Sequence, residues 1–109
     1  MHDITDAISL EIAARVAARL RAEPDLVAFA RNNLIRWKKR NADTPSLLRC
    51  YEEWESILEK PIAEVVQRLC AQTEQGQRLR QNSPFVGILS QAEVRELKRK
   101  FRENEAATA

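Results

Sequence analysis

Histidine, glycine and cysteine are scarce in this chain of 109 residues, and each shortage excludes a kind of chemistry. His2, the only histidine, lies at the start of the chain, so we expect no histidine-based acid–base catalysis, activated nucleophile or zinc site. The two glycines are isolated and form no phosphate-binding loop. Cys50 and Cys70 have neither zinc-site spacing nor a disulfide framework, so we interpret both as small buried side chains.

Carboxylates are present, but their arrangement is not typical of an active site. Glutamates crowd one side of a predicted helix, at Glu52, Glu53, Glu55 and Glu59. Adjacent acids on a solvent-facing side usually neither pair as acid and base nor hold a metal, because catalytic carboxylates need burial to shift their pKa. We therefore expect a protein without enzymatic activity, cofactor or metal.

Long hydrophobic runs are missing as well. The most apolar segment, from Ile4 to Leu20, is interrupted by Asp6, Glu11, Arg15 and Arg19, so it is too polar to span a bilayer. Charges of both signs on its polar face also argue against a membrane-surface helix. No secretory signal opens the chain. The sequence therefore predicts a cytoplasmic protein with no membrane partner.

Helical periodicity is what the sequence does contain. Apolar residues recur at spacings of three and four, beginning with Ile4, Ile8, Ile12, Val16 and Leu20. Three prolines (Pro24, Pro45 and Pro61) each precede such a segment, where a helix tolerates proline. The pattern predicts an all-α fold: a compact bundle of five to six short helices in one domain, residues 1–103, followed by a frayed tail, residues 104–109.

Capping residues predict where several helices begin. Asp3 is expected to cap the first helix, which should run from about Ile4 to Arg21, and Thr44 the third. Thr73 is expected to cap a short fifth helix, and Thr73 to Gly76 is interpreted as a break or kink. Ser90 and Glu93 form a capping box for the last helix.

One apolar run lies in a predicted connection rather than in a helix. We call this run, Pro84–Leu89, the connector; it includes Phe85, Val86, Ile88 and Leu89. Such a segment must either pack on the helices as a plug or contact a partner, because exposing it to water is unfavourable. Gly87 supplies backbone freedom that would let the connector fold its side chains inward.

Positive charge is unevenly distributed although the net charge is only +2, from 18 basic and 16 acidic residues. One basic block consists of Arg31, Arg36, Lys38, Lys39 and Arg40, and a second of Arg95, Lys98, Arg99, Lys100 and Arg102. They are interpreted either as solvated helix faces or as patches that face phosphates or carboxylates. Arg78 and Arg80 form a further donor cluster with Asn82. They either bond carbonyls freed at helix ends or bind an anionic group of a partner.

Three segments carry a family resemblance: Ala30–Trp37 (ARNNLIRW), Glu53–Leu58 (EWESIL) and Arg78–Leu89 (RLRQNSPFVGIL). The chain resembles small helical bacterial proteins of toxin–antitoxin-like gene pairs, over roughly Ala13 to Phe101. The resemblance implies a partner-binding protein similar to an antitoxin and brings no catalytic residues with it.

The leading functional prediction is a non-enzymatic module that binds and neutralises a partner protein, such as a toxin. Its expected contact residues are Arg36, Lys39, Arg40, Arg78, Arg80, Asn82, Phe85, Arg95 and Arg99. The alternative is a small DNA-binding regulator that uses a basic helix, although no helix-turn-helix spacing supports it. A second copy of the chain is a further candidate partner, through the alanine-rich first helix.

Overall fold

Six α-helices account for most of residues 4–108, the range that the computed structural model describes, with side chains described for residues 4–104. The helices are α1 (Ile4–Ala22), α2 (Leu26–Arg40), α3 (Pro45–Leu58), α4 (Ile62–Leu69), α5 (Glu74–Gln81) and α6 (Gln91–Thr108). No strand occurs within residues 4–108, so the prediction of an all-α bundle is confirmed. His2 and the Asp3 cap lie outside the described residues.

The helix boundaries confirm some capping predictions and correct others. The Ser90 and Glu93 side chains accept hydrogen bonds from each other's backbone N–H, at 3.1 and 3.2 Å, as the capping box predicts. Thr73 also caps as predicted, because its Oγ1 accepts a hydrogen bond from the Gly76 N–H at 3.0 Å. Thr44 occupies the N-cap position of α3 as predicted, with Pro45 in the first turn, but its side chain accepts no capping hydrogen bond from the described residues.

Two other boundaries differ from the sequence expectation. The break predicted at Thr73–Gly76 lies earlier, between the end of α4 and Thr73, and Gly76 sits inside α5. The backbone of α6 continues to Thr108, so it is helical through most of the tail that was expected to fray. The domain limit at residue 103 stays a prediction.

Helix α1 lies at the centre of the packing, against α2, α4, α5 and α6. Its buried face contains Ala13, Val16, Ala17 and Leu20. Two of these four are alanines, and small side chains let neighbouring backbones approach closely. The alanine-rich helix is therefore part of the core of the single chain.

Trp54 of α3 is the largest fully buried side chain. Its indole Nε1 donates a hydrogen bond to the Leu79 carbonyl at 3.0 Å, and its ring meets the Phe85 ring edge-on with centroids 5.8 Å apart. An indole N–H needs a partner when it is buried, and this arrangement supplies one. Trp54 thus joins α3 to the end of α5 and to the connector.

Helices α3 and α4 pack on each other as the predicted αα-hairpin, and α2 packs on α3. Trp37 of α2 is half-buried and its ring centroid lies 5.7 Å from that of Tyr51. Within residues 4–108, none of the helices is both long and apolar enough to cross a membrane.

Candidate functional site

The connector between α5 and α6 is held in place by side chains from two other helices. Asn33 of α2 is buried, and its Nδ2 donates to the carbonyl oxygens of Pro84 at 2.8 Å and Val86 at 3.1 Å. Arg19 of α1 donates from Nη1 to the Ile88 carbonyl at 2.9 Å. Because these carbonyls have no partner from regular secondary structure, the side chains complete their hydrogen bonding. The connector is therefore an ordered part of the fold, as predicted.

The connector turns so that its apolar side chains point in opposite directions. The Ile88 N–H donates to the Phe85 carbonyl at 3.2 Å, and Gly87 at the third position of this turn has φ of +100°. A positive φ at that position is typical of a type II turn and favours glycine. Phe85 and Leu89 are buried, whereas Val86 at the tip is 65% exposed. The predicted inward folding is confirmed for Phe85 and Leu89 and wrong for Val86.

Helix α2 borders the connector on one side and adds a second exposed apolar residue. A Cβ atom built on Gly87 would lie 3.1 Å from Cζ of Phe29, so the Phe29 ring lies against the turn. Phe29 is 40% exposed. A cleft of about 240 Å³ lies beside Val86, and its lining also includes Arg40 and Asn82.

The Arg36 guanidinium donates to Oδ1 of Asn33, the same side chain that holds the connector. We define the connector face as Phe29, Arg36, Arg40, Asn82 and Val86. Three of these residues (Arg36, Arg40 and Asn82) were expected contact residues, and the structure brings them together around Val86.

A groove on the other side of Val86 runs between α1, the connector and α6. Its volume is about 480 Å³ and its lining is mainly apolar, with Ile12 and Val16 on one wall and Val94 on the other. Arg95 and Lys98 of α6 also line it. We call this feature the α1–α6 groove. Its lining includes two expected contact residues, Phe85 and Arg95.

A salt bridge connects α1 to the first turn of α6, near the α1–α6 groove. Arg19 Nη2 lies 2.7 Å from Oε2 of Glu93. The Ser90 backbone N–H and the Arg19 guanidinium both bind the Glu93 carboxylate and hold its pKa below the usual range. The start of α6 is therefore anchored to α1 as well as to the connector.

Arg80 is buried, with only 3% of its side chain exposed, and the Phe85 side chain of the connector is buried as well. Arg80 Nη1 donates to the carbonyl oxygens of Leu69 at 3.1 Å and Ala71 at 2.7 Å, where α4 ends. The alternative in which this arginine bonds carbonyls freed at a helix end therefore holds. Both Arg80 and Phe85 are buried, but Phe85 lines the α1–α6 groove and both line the cavity beside it, so their part in partner contact stays a prediction.

Arg78 remains on the surface but is engaged by a glutamate of α3. Its two terminal nitrogens each lie 2.9 Å from a different carboxylate oxygen of Glu53, which is a bidentate geometry. This pairing holds the pKa of Glu53 below its usual range and raises the pKa of Arg78. Arg78 thus ties α5 to α3, and a partner would have to compete with Glu53 for it.

Some of the remaining residues of the two basic blocks form ion pairs with glutamates, and others are exposed. Arg99 binds Glu96 and Glu103 on its own helix, and these contacts raise the pKa of Arg99 and lower that of Glu96. Lys38 pairs with Glu55 across α2 and α3, with an Nζ–Oε1 distance of 2.9 Å. Lys39 is exposed in the last turn of α2. The two basic blocks are thus partly structural and partly open.

Sequence reasoning named neither Asn33 nor Phe29 as a contact residue, and it considered Val86 only as part of the connector. Phe29 and Asn33 are four residues apart and lie on one face of α2, which is the only local signal for their association. The role of Asn33 depends on residues more than fifty positions away, so no pattern near it predicts that role. Val86 was recognised as apolar, but its exposure follows from the turn.

Comparison of the chain with protein-family models, with curated proteins and with solved structures found no match. No group of three or more metal-binding side chains occurs within the described residues.

Proposed function

We propose that this chain is a non-enzymatic protein-binding module that neutralises a partner protein, as an antitoxin does, by covering it with the connector face. The observation that carries the proposal is the exposure of Phe29, whose ring lies against Gly87, and of Val86, the residue before Gly87. Large apolar residues that stay exposed beside polar ones are typical of protein-interaction sites. The antitoxin character is supported by the resemblance to proteins of toxin–antitoxin-like gene pairs.

The surroundings of these two residues favour binding. Arg36 and Arg40 flank the apolar pair, and arginine is enriched in protein interfaces. Asn33 fixes the connector by two hydrogen bonds, so little conformational freedom remains to be lost when a partner binds. An apolar centre with a polar and basic border resembles the anatomy of a specific interface.

The test is a binding measurement with the purified product of the adjacent gene. We expect the wild-type chain to form a stoichiometric complex and Val86→Asp to weaken it by about 30-fold, as for an interface hot spot. Isothermal titration calorimetry would measure both affinities. Ile35→Asp is the matched control, because Ile35 is 49% exposed and lies on a different side of α2 from Asn33.

Equal losses for Val86→Asp and Ile35→Asp, or no loss for either, would contradict the proposal. Absence of a complex, together with binding of the chain's own promoter DNA that weakens steeply with salt, would favour the DNA-binding regulator instead. Growth of cells that express the adjacent gene gives an independent readout, since a neutralising partner restores it and Val86→Asp should restore it less.

A further inference from the structure

The charges of α6 are sorted between its faces. Arg95, Lys98 and Arg102 are spaced three and four residues apart, so they share one side of the helix. None of the ion pairs described among residues 4–104 involves these three cations. The glutamates of the same helix are already engaged: Glu93 by Arg19, and Glu96 and Glu103 by Arg99.

Arg95 and Lys98 line the α1–α6 groove, and Arg102 lies one turn beyond Lys98 on the same side of α6, so the three form a stripe that begins at the groove. Seven residues of helix separate Arg95 from Arg102, which corresponds to a length of about 10 Å. A second cavity of about 300 Å³ adjoins the groove and shares Ile12, Val16 and Lys98 with it. An extended apolar channel thus lies beside a row of positive charges that form no ion pair with any described residue.

We propose that the α1–α6 groove binds an acidic amphipathic helix of the partner protein, with the apolar side of that helix in the groove and its carboxylates on Arg95, Lys98 and Arg102. This inference rests on the proposed protein-binding function and specifies the chemistry of the partner. A groove that accepts a helix binds the apolar side chains that the helix carries at spacings of three, four and seven residues.

The spacing of the three cations favours an acidic helix over a long-chain carboxylate, and the apolar walls favour it over nucleic acid. Two turns of an occupying helix would place carboxylates at positions i, i+3 or i+4 and i+7, which matches a stripe of about 10 Å. A single long-chain carboxylate would neutralise only one of the three cations. Nucleic acid would satisfy the cations but leave the apolar walls of Ile12, Val16 and Val94 without a partner.

The experiment uses the full chain and two designed 18-residue helical peptides as probes. Both peptides carry leucines along one face, and the flanking positions are glutamate in one peptide and lysine in the other. We expect the glutamate peptide to bind at least tenfold more tightly, measured by fluorescence anisotropy. In the triple variant Arg95→Glu, Lys98→Glu and Arg102→Glu, the preference should reverse in favour of the lysine peptide.

A matched control separates local from overall charge. The triple variant Arg21→Glu, Arg49→Glu and Arg68→Glu makes the same change in net charge at exposed positions on other helices. This control should keep the preference for the glutamate peptide. The groove proposal is overturned if the two peptides bind wild type equally, or if the control variant reverses the preference as fully as the α6 variant does.

Two further arms separate the groove proposal from its alternatives. Vesicles of phosphatidylglycerol that bind wild type but not the α6 variant, without discrimination between the peptides, would assign the stripe to a membrane surface and overturn the proposal. Equal binding of the adjacent-gene product by wild type and the α6 variant would also overturn it, while leaving the protein-binding function intact. A peptide preference without any complex with that product would support the groove and contradict only the proposed neutralising function.

Discussion

Arg78 and Arg80 show how differently two neighbouring residues of one type are used. Positions two apart on a helix are rotated by about 200°, so these side chains leave α5 on opposite sides. Arg78 meets Glu53 at the surface, whereas Arg80 enters the interior and bonds the end of α4. Its Nε is buried without a hydrogen-bond partner among the described atoms, which adds to the desolvation cost of this cation.

Gly76 is a residue at which two physical effects oppose each other. Helix propensity alone predicts that Gly76→Ala stabilises α5 by about 1 kcal/mol. A Cβ atom at this position would overlap the Ala71 carbonyl oxygen, which also accepts a hydrogen bond from Arg80. Since backbone must move to relieve such a contact, we expect a net loss of about 1–2 kcal/mol in the free energy of unfolding, measured by urea denaturation.

Gln77→Ala is the control for this substitution, because Gln77 is the next residue of α5 and is exposed. Its effect should stay within about 0.5 kcal/mol. If Gly76→Ala proved as stable as wild type or more stable, the close approach of Ala71 to Gly76 would not limit the choice of residue there.

At the scale of elements, the connector is the part of the chain whose order depends most on distant side chains. It has no repeating backbone hydrogen bonds of its own, and Asn33 and Arg19 supply bonds to three of its carbonyls. The buried side chains of Phe85 and Leu89 anchor the connector to the hydrophobic core. A short irregular segment can therefore present Val86 in one orientation.

Removing the Asn33 amide should loosen the connector. We expect Asn33→Ala to lower the free energy of unfolding by about 1–3 kcal/mol, because it leaves the carbonyls of Pro84 and Val86 without their donor. Hydrogen exchange at the Ile88 amide, which closes the turn, should become faster. Nuclear magnetic resonance would measure that exchange residue by residue.

Asn32→Ala provides the matched comparison, since Asn32 precedes Asn33 on α2 and is exposed. This variant should change the stability by no more than about 0.5 kcal/mol and leave the Ile88 amide protected. Equal exchange rates in the two variants would mean that Phe85 and Leu89 alone order the connector.

At the scale of the whole molecule, Arg80 connects parts that are far apart in the sequence. It bonds the end of α4 from α5, and its Nη2 lies 3.4 Å from Oδ1 of Asp6 in the first turn of α1. Because α1 packs on four other helices, a contact that fixes its first turn should stabilise the bundle as a whole.

We expect Arg80→Gln to lower the free energy of unfolding by about 2–4 kcal/mol, because two buried carbonyl groups lose their donor. Arg78→Gln should cost clearly less than Arg80→Gln, since the ion pair of Arg78 with Glu53 is exposed to solvent. Urea denaturation of both variants would compare them directly. A larger loss of unfolding free energy for Arg78→Gln than for Arg80→Gln would contradict the conclusion that Arg80 links α5 to α4 and α1 inside the bundle.

Local patterns in the sequence were sufficient to determine the helical class, the αα-hairpin of α3 and α4, and the Thr73 and Ser90 caps. These properties depend on residues within a few positions of each other, through periodicity and capping. Tertiary structure alone decided that Arg80 is internal, that Val86 is exposed, and that α6 places cations without an ion pair among residues 4–104 beside a groove. Each of those outcomes depends on contacts between distant residues, such as Asn33 with Pro84 or Arg19 with Ile88, and burial is set by such contacts.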